Sequence, residues 1–248
     1  MNKYTGIVEP IQINSRLALD YHENSKKFFE YSDIYNYDDV EKYYPNTKKI
    51  KLVRNNNIRN SEFFKIITQR RSHREYSNEP INFEQLSEIL YLSYGCKFIE
   101  NEKYRNSPSA GFKYPLEIYI FSNNCNGLKK GIYHFNPINS ELELLNDNYN
   151  YNCLSKLCNN QTFINESAIT IFITSIFEKT MSRYGDRGYR YILLDAGHVM
   201  QNIYLTATYF NLGITSIGGF YDNEINELLG IDGINESTLY IASIGNKF

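Results

Sequence analysis

The sequence predicts an α+β fold, and three observations carry that expectation. Predicted strands and helices interleave along the 248 residues without the β-α-β rhythm of a parallel sheet. The run "AITIFITSIF" at 168–177 is apolar almost throughout, as expected of a strand covered on both faces. The segment "YRYILLDAGHVMQNIYLTATYFNLG" instead repeats apolar residues every three or four positions, the period of a helix.

Residues 1–60 are polar and tyrosine-rich, with charges of both signs, and read as an N-terminal extension wrapping a core domain at 61–248. Ser61 is placed to cap a helix "EFFKIITQR". Asn82, with Gln85 three positions later, predicts a capping box for "FEQLSEILYLSY", whose Leu86, Ile89, Leu90 and Ser93 share a face and which Gly95 ends. "LEIYIFS" at 116–122 is a strand, and "GIYHFNPINSELELL" is two strands around a turn at Asn136, Pro137 and Asn139. In the long helix at 189–211, Ile192, Ala196, Val199, Ile203, Ala207 and Phe210 form a stripe that Leu193, Met200 and Leu205 widen round most of the cylinder. Such a helix is buried in a core or against another subunit. Gly213 is expected as its C-cap. A short helix opens at Asp222 and closes at Gly230, and "TLYIASIG" supplies a last strand.

Composition narrows the function. The 26 Lys+Arg against 28 Asp+Glu leave no global field for nucleic acid or an anionic membrane, so neither is expected as a partner. Cys96, Cys125, Cys153 and Cys158 form no CxxC pair, and "MNKYTGIVEPIQINSR" lacks the apolar stretch of a signal peptide. Reduced thiols and a cytoplasmic location are therefore expected, without a zinc site. No apolar run approaches the roughly 20 residues that span a bilayer. The 23 tyrosines, like the many Asn, Lys and Ile, read as compositional bias and not as a stacking surface.

Against that neutral background, "TQRRSHREYS" concentrates Arg70, Arg71, His73 and Arg74 within five positions. Guanidinium forks match phosphate oxygens, and Ser72 adds a neutral donor. The plain alternative is a solvated basic turn. No GxGxxG or GxxxxGK[ST] offers a dinucleotide or triphosphate site. Two further segments favour a ligand. "RNSPSAGFKYPLEIYIF" places Ser107, Ser109, Ala110 and Gly111 before a strand, and "SIGGFYD" places Gly218 and Gly219 before a helix. Both allow a flat ring close to the backbone. A planar group with an anionic tail fits all three, and flavin mononucleotide (FMN) is such a molecule.

The segments "RRSHREYS", "PSAGFKYPLEIYIF", "GIYHFNP", "RYGDRGYRYILLDAGHVMQNIYL" and "LGITSIGGFYDNEINELLG", in that order, resemble the nitroreductase-like flavoproteins, and among them the SagB-type dehydrogenases. Those enzymes oxidise azoline rings to azoles in ribosomal peptide toxins and bacteriocins. The resemblance runs from about residue 21 to the C-terminus. It implies a central, mostly antiparallel sheet flanked by helices, and an entwined homodimer with FMN at the interface. It implies that Arg70, Arg71, Ser72 and Arg74 hold the FMN phosphate and ribityl chain. Pro108, Ser109 and Ala110 would cover the flavin of the opposite subunit, and the Gly218–Gly219 pair would face flavin N5. The resemblance also makes Lys247 a candidate to reach the phosphate. A donor aimed at N5 stabilises negative charge on the reduced ring.

Azoline oxidases of this type carry a Lys-Tyr pair upstream of "GDRGYR", whereas here the pair is Arg183-Tyr184. Arginine keeps its proton at any practical pH and cannot be the general base. Tyr184 then serves as base beside Arg183, or Arg183 holds an anionic substrate group, or both residues only line the entrance. Lys113-Tyr114 is a second such pair with little catalytic expectation. His198 is expected as a hydrogen-bonded core or interface histidine, Asp195, Gln201 and Asn202 as interface hydrogen-bonders, and His73 as a variable position. The alternatives to azoline oxidation are an NAD(P)H-dependent reductase of nitro compounds or quinones, and a flavin-binding subunit that joins a cyclodehydratase in modifying a precursor peptide.

Overall fold

The structure, a computed structural model, describes residues 16–26, 42–100, 102–148 and 153–248. In chain order its first elements are α1 (Arg16–Ser25), α2 (Asn56–Arg59), α3 (Glu62–Gln69), β1 (Ile81–Asn82), α4 (Phe83–Tyr94), β2 (Cys96–Ile99), β3 (Glu102–Arg105), β4 (Leu116–Ser122) and β5 (Cys125–Asn126). There follow β6 (Gly131–Asn136), β7 (Glu141–Asn146), α5 (Leu154–Leu157), β8 (Ile169–Ile176), α6 (Glu178–Tyr184), α7 (Arg187–Tyr209), β9 (Gly213–Ile217), α8 (Asp222–Leu229) and β10 (Glu236–Gly245).

Six strands form one sheet in the order β7-β6-β4-β8-β10-β9, and every neighbouring pair is antiparallel. The apolar run at 168–177 becomes β8, between β4 and β10. Its alternate residues point to opposite sides. Ile169, Ile171 and Ile173 join a core with α4 and α7, and Phe172 joins a second core with Leu154 of α5 and Ile225 and Leu229 of α8. The result is three layers, helices on both faces of an antiparallel sheet, as the sequence predicts.

Local signals explain the helices nearest the site. Ser61 Oγ accepts the Phe64 N–H at 3.2 Å and starts α3, and the Asn82 N–H donates to Gln85 Oε1 at 2.9 Å at the head of α4. Gly95 ends α4, but with φ −59° it does so in extended backbone. Its requirement is space, because a Cβ there would lie 2.4 Å from the Tyr91 carbonyl oxygen. In α7, Ile192, Ala196, Val199, Ile203 and Ala207 are buried as their spacing predicts. Each fully buried Ile or Val contributes about 1.5–3 kcal/mol. Leu193 and Leu194 on another face are exposed, so within one chain α7 is covered on one side only.

Gly213 differs from expectation. The left-handed residue after α7 is Asn211, φ 57°, and Gly213 opens β9. A Cβ on Gly213 would stand 3.1 Å from the Tyr76 ring, so the glycine admits Tyr76 to the core. Parts of the 1–60 stretch, residues 1–15 and 27–41, lie outside the described residues. Of the remainder, α1 meets the domain directly: the Ala18 N–H donates to Asp186 Oδ1, His22 Nδ1 meets the Tyr189 hydroxyl at 3.0 Å, and Lys26 Nζ donates to the Gly233 carbonyl.

Candidate active site

The sequence-predicted residues gather in two clusters, both resting on α7. The first forms where the chain leaves α3. Arg70 is the C-cap of that helix, and its guanidinium lies over the Tyr204 ring, 5.4 Å from the centroid. The chain then runs beside β9: the His73 N–H donates to the Ile214 carbonyl at 2.8 Å, and the His73 carbonyl accepts from Thr215 Oγ1 and Tyr76 Oη. Ser72 Oγ is 3.1 Å from Tyr204 Oη. Lys247, just beyond β10, donates to Asn211 Oδ1 at 3.1 Å, and burial together with the Lys247 charge depresses the His73 pKa. Arg71 bonds the Arg70 carbonyl, and Arg74 is exposed. Gly218 and Gly219 follow β9, and a Cβ on either would meet nothing within 4 Å.

The chemistry of this cluster fits an anionic ligand attached to a flat group. The ion pairs among the described residues involve none of Arg70, Arg71, Arg74 and Lys247, so no described carboxylate neutralises their charge. Beside them two bare glycines leave backbone open to close approach. His73 contributes mainly backbone hydrogen bonds, in keeping with a variable side chain.

The second cluster surrounds the loop 107–114. Ser107 Oγ donates to the Ser93 carbonyl and accepts from Asn202 Nδ2. Ser109 Oγ donates to Asp195 Oδ2 at 2.6 Å and accepts the Tyr114 N–H at 2.9 Å. Burial raises the Asp195 pKa, opposed by the Ser109 and Ala110 hydrogen bonds and by His198. Asp195 and Asn202, expected at an interface, thus hold a loop of their own chain. His198 is exposed in the single chain and so is not a core histidine; Gln201 is exposed too. Gly111, Phe112 and Tyr114 have φ of 58°, 56° and 46°. A left-handed residue other than glycine costs of order 1–3 kcal/mol, so these hydrogen bonds hold the loop against its local preference. Pro108 is exposed, and Ser109 and Ala110 are half-buried.

Arg183 and Tyr184 belong to this second cluster. They end α6, with the Arg183 guanidinium 5.5 Å from the Tyr184 ring centroid and Tyr191 of α7 edge-on to Tyr184. Both side chains stand against Gly111. Lys113 is half-buried and has no side-chain hydrogen bond or ion pair among the described residues.

The two clusters use different parts of α7: Asp195 and Tyr204 are nine positions apart, roughly 13 Å of helix rise, and Asn202 and Tyr204 are two apart, about 200° round the helix. Tyr204 and Ser216 escape sequence reasoning. The available signal is the four-residue helical spacing that puts Tyr204 on the buried face with Met200 and Ala196, but one tyrosine among 23 does not announce itself.

Comparison with known proteins agrees with this architecture. Residues 67–246 match the nitroreductase family. The chain is 38% identical over 182 residues to a Methanocaldococcus jannaschii protein designated a nitroreductase, MJ1384, covering 73% of this chain and 89% of that one. It is 27% identical over 149 residues to the Escherichia coli microcin B17-processing protein McbC, covering 57% of this chain and 54% of McbC. Among solved structures, a nitroreductase-type protein from Anabaena variabilis aligns with TM-score 0.65 and 32% identity, over 75% of this chain but only 38% of that one. A chain of the E. coli microcin synthetase McbBCD complex with truncated pro-MccB17 bound shares the fold over 95% of both chains, with TM-score 0.75 and 17% identity. Among the described residues no helix is long and apolar enough to cross a membrane. By sequence match and by fold together, this chain belongs to the nitroreductase family of oxidoreductases.

Proposed function

We propose that the chain is an FMN-dependent dehydrogenase of SagB type, oxidising azoline rings in a ribosomally made peptide to azoles. The observation that carries this reading is the placement of Arg183 and Tyr184 against Gly111, within the loop expected to cover the flavin. The likeness to McbC and to the fold of the McbBCD chain supports a peptide substrate.

Arg70, Arg71, Ser72, Arg74 and Lys247 would hold the phosphate, with Gly218 and Gly219 beside the ring. Pro108, Ser109 and Ala110 would close over the flavin of a second copy, since Asp195, which holds their loop, and Tyr204 stand roughly 13 Å apart along one α7. The exposed Leu193 and Leu194 support such a homodimer. Bound there, FMN supplies a two-electron acceptor. Tyr184, reacting as its phenolate, takes the proton from the azoline carbon at its oxygen, and Arg183 holds Tyr184 in place or anchors an anionic substrate group. A cyclodehydratase is the partner that such a substrate requires, since azolines arise by cyclising Cys, Ser or Thr side chains onto the peptide backbone.

The test is anaerobic. A chemically cyclised azoline peptide should bleach the flavin of the purified protein, whereas NADPH alone should not. Prompt bleaching by NADPH supports the second reading, a reductase of nitro compounds or quinones, which the 38% identity to MJ1384 favours.

A further inference from the structure

The first cluster contains a hydrogen-bond relay through Tyr204 and Ser216, residues to which the expectations above give no role. Tyr204 is buried on α7, with its ring under the Arg70 guanidinium. Its hydroxyl accepts the Ser216 N–H at 2.8 Å and lies 3.1 Å from Ser72 Oγ and 3.2 Å from Ser216 Oγ. Ser216 Oγ also accepts from Tyr240 Oη at 3.1 Å. One phenol therefore joins the arginine-serine segment to the strand that leads into Gly218 and Gly219.

A phenolic hydroxyl has one proton to give and two lone pairs. One lone pair is committed to the Ser216 N–H. Without an anion nearby, the Ser72 proton points at the second lone pair and the Tyr204 proton at Ser216 Oγ. An anion arriving beside Arg70 and Arg74 offers Ser72 a stronger acceptor. The Ser72 proton then turns outward, and the Tyr204 proton turns to the vacated Ser72 Oγ. Ser216 Oγ keeps Tyr240 as donor throughout.

We infer that Tyr204 is the positioning residue of the phosphate clamp: it sets the Ser72 hydroxyl to donate to the ligand's phosphate, and so confers preference for FMN over riboflavin. The inference rests on the flavin reading above and adds a residue and a selectivity to it. Tyr204 itself does not touch the ligand in this scheme. It acts through Ser72, from below, and through the flat support that its ring gives Arg70.

The experiment compares dissociation constants for FMN and for riboflavin, measured by flavin fluorescence on the refolded apoprotein of the full chain. Riboflavin has the same ring and ribityl chain without the phosphate, so a loss of general structure weakens both ligands, while a loss at the clamp weakens FMN alone. Tyr204→Phe should lower FMN affinity about tenfold relative to riboflavin, the size expected for one charge-assisted hydrogen bond. Ser72→Ala should do the same, and the double variant should lose little beyond either single one, since both remove the same donor. Equal weakening of both ligands, or additive losses in the double variant, overturns the inference. Should Tyr204→Phe not fold, Ser72→Ala decides alone, and an unchanged FMN-to-riboflavin ratio in it is equally fatal. A wild-type protein that binds neither flavin, or binds both alike, fails at an earlier point and removes the flavin-phosphate reading itself.

Discussion

A Cβ added to Gly111 would lie 2.5 Å from the hydroxyl oxygen of Tyr184 and 3.1 Å from an Arg183 guanidinium nitrogen. This glycine is where the strained loop and the end of α6 come together, and its φ of 58° is one that side-chain-bearing residues avoid. The obstructing atoms are tips of flexible side chains, so Gly111→Ala should displace Tyr184 and Arg183 without unfolding the domain. The expected stability loss is about 1 kcal/mol from the backbone alone, read as a small drop in Tm, alongside a much larger loss of the proposed azoline oxidation. A variant with full activity would show that Tyr184 need not stand against this loop.

The proton-transfer role proposed for Tyr184 makes a sharper forecast. Tyr184→Phe keeps the ring against Tyr191 and removes only the oxygen. If the phenol is the base, kcat should fall by roughly 10²–10⁴ while flavin content stays unchanged. Arg183→Lys restores the pair expected of azoline oxidases and should retain activity. A Tyr184→Phe enzyme within threefold of wild type would remove the base from this residue.

The helix starts, the central strand and the long helix were legible because they rest on local rules. Ser61, Asn82 and Gln85 announce helix starts through hydrogen bonds to near neighbours, and β8 and α7 announce themselves by period. The β2-β3 pair and β9 were not legible. "CKFI" and "EKYR" are short and polar, and β9 is five residues whose burial is granted by β10 and by the segment 73–76. Gly213 misled because helix-ending and strand-admitting glycines look alike until Tyr76 is in place. The roles of Asp195 and Asn202 depend on partners about 90 positions away, Ser109 and Ser107. No local pattern encodes such a pairing.

The arginines of the first cluster should bind through their charge. Arg70→Ala combined with Arg74→Ala should cost about 2 kcal/mol or more of FMN binding, since charge-assisted hydrogen bonds are worth roughly 1.5–3 kcal/mol each. The remaining affinity should depend less on salt than that of wild type. Titration at two ionic strengths measures both effects, and an undiminished affinity would return the segment to a solvated basic turn.

Asp195 should prove structural to the loop and separable from the clamp. Its carboxylate accepts from Ser109 Oγ, which in turn accepts the Tyr114 N–H. Removing it leaves a half-buried hydroxyl to find another acceptor while Phe112 and Tyr114 stay left-handed. Asp195→Ala should cost about 1.5–3 kcal/mol of stability, and Asp195→Asn less, because an amide oxygen still accepts from Ser109. Limited proteolysis should then find a new cleavage site near the exposed Phe112 in the alanine variant only.

A histidine outside both clusters predicts how stability varies with pH. His134 on β6 directs Nε2 at Glu117, 3.2 Å away, and Nδ1 at Glu143, 2.8 Å away. Glu117 also receives Lys179 at 2.5 Å. Two carboxylates facing the two ring nitrogens favour the imidazolium. Burial by itself would push the His134 pKa down, but the hydrogen bonds and charges of Glu117 and Glu143 outweigh it and raise the value above the ordinary 6.5. The sign follows from linkage: a raised folded pKa gives stabilisation that is complete below 6.5 and is lost as pH rises through the folded value. Glu117 works in the opposite sense. Burial opposes its charge, but His134 and Lys179 prevail and lower its pKa, so its contribution is lost as pH falls below the ordinary 4.5 toward the folded value. Wild-type Tm should therefore decline from pH 6.5 upward more steeply than that of His134→Gln, whose amide bonds without titrating. Parallel Tm profiles for the two proteins across pH 6–8 would show that folding takes up no proton at this histidine.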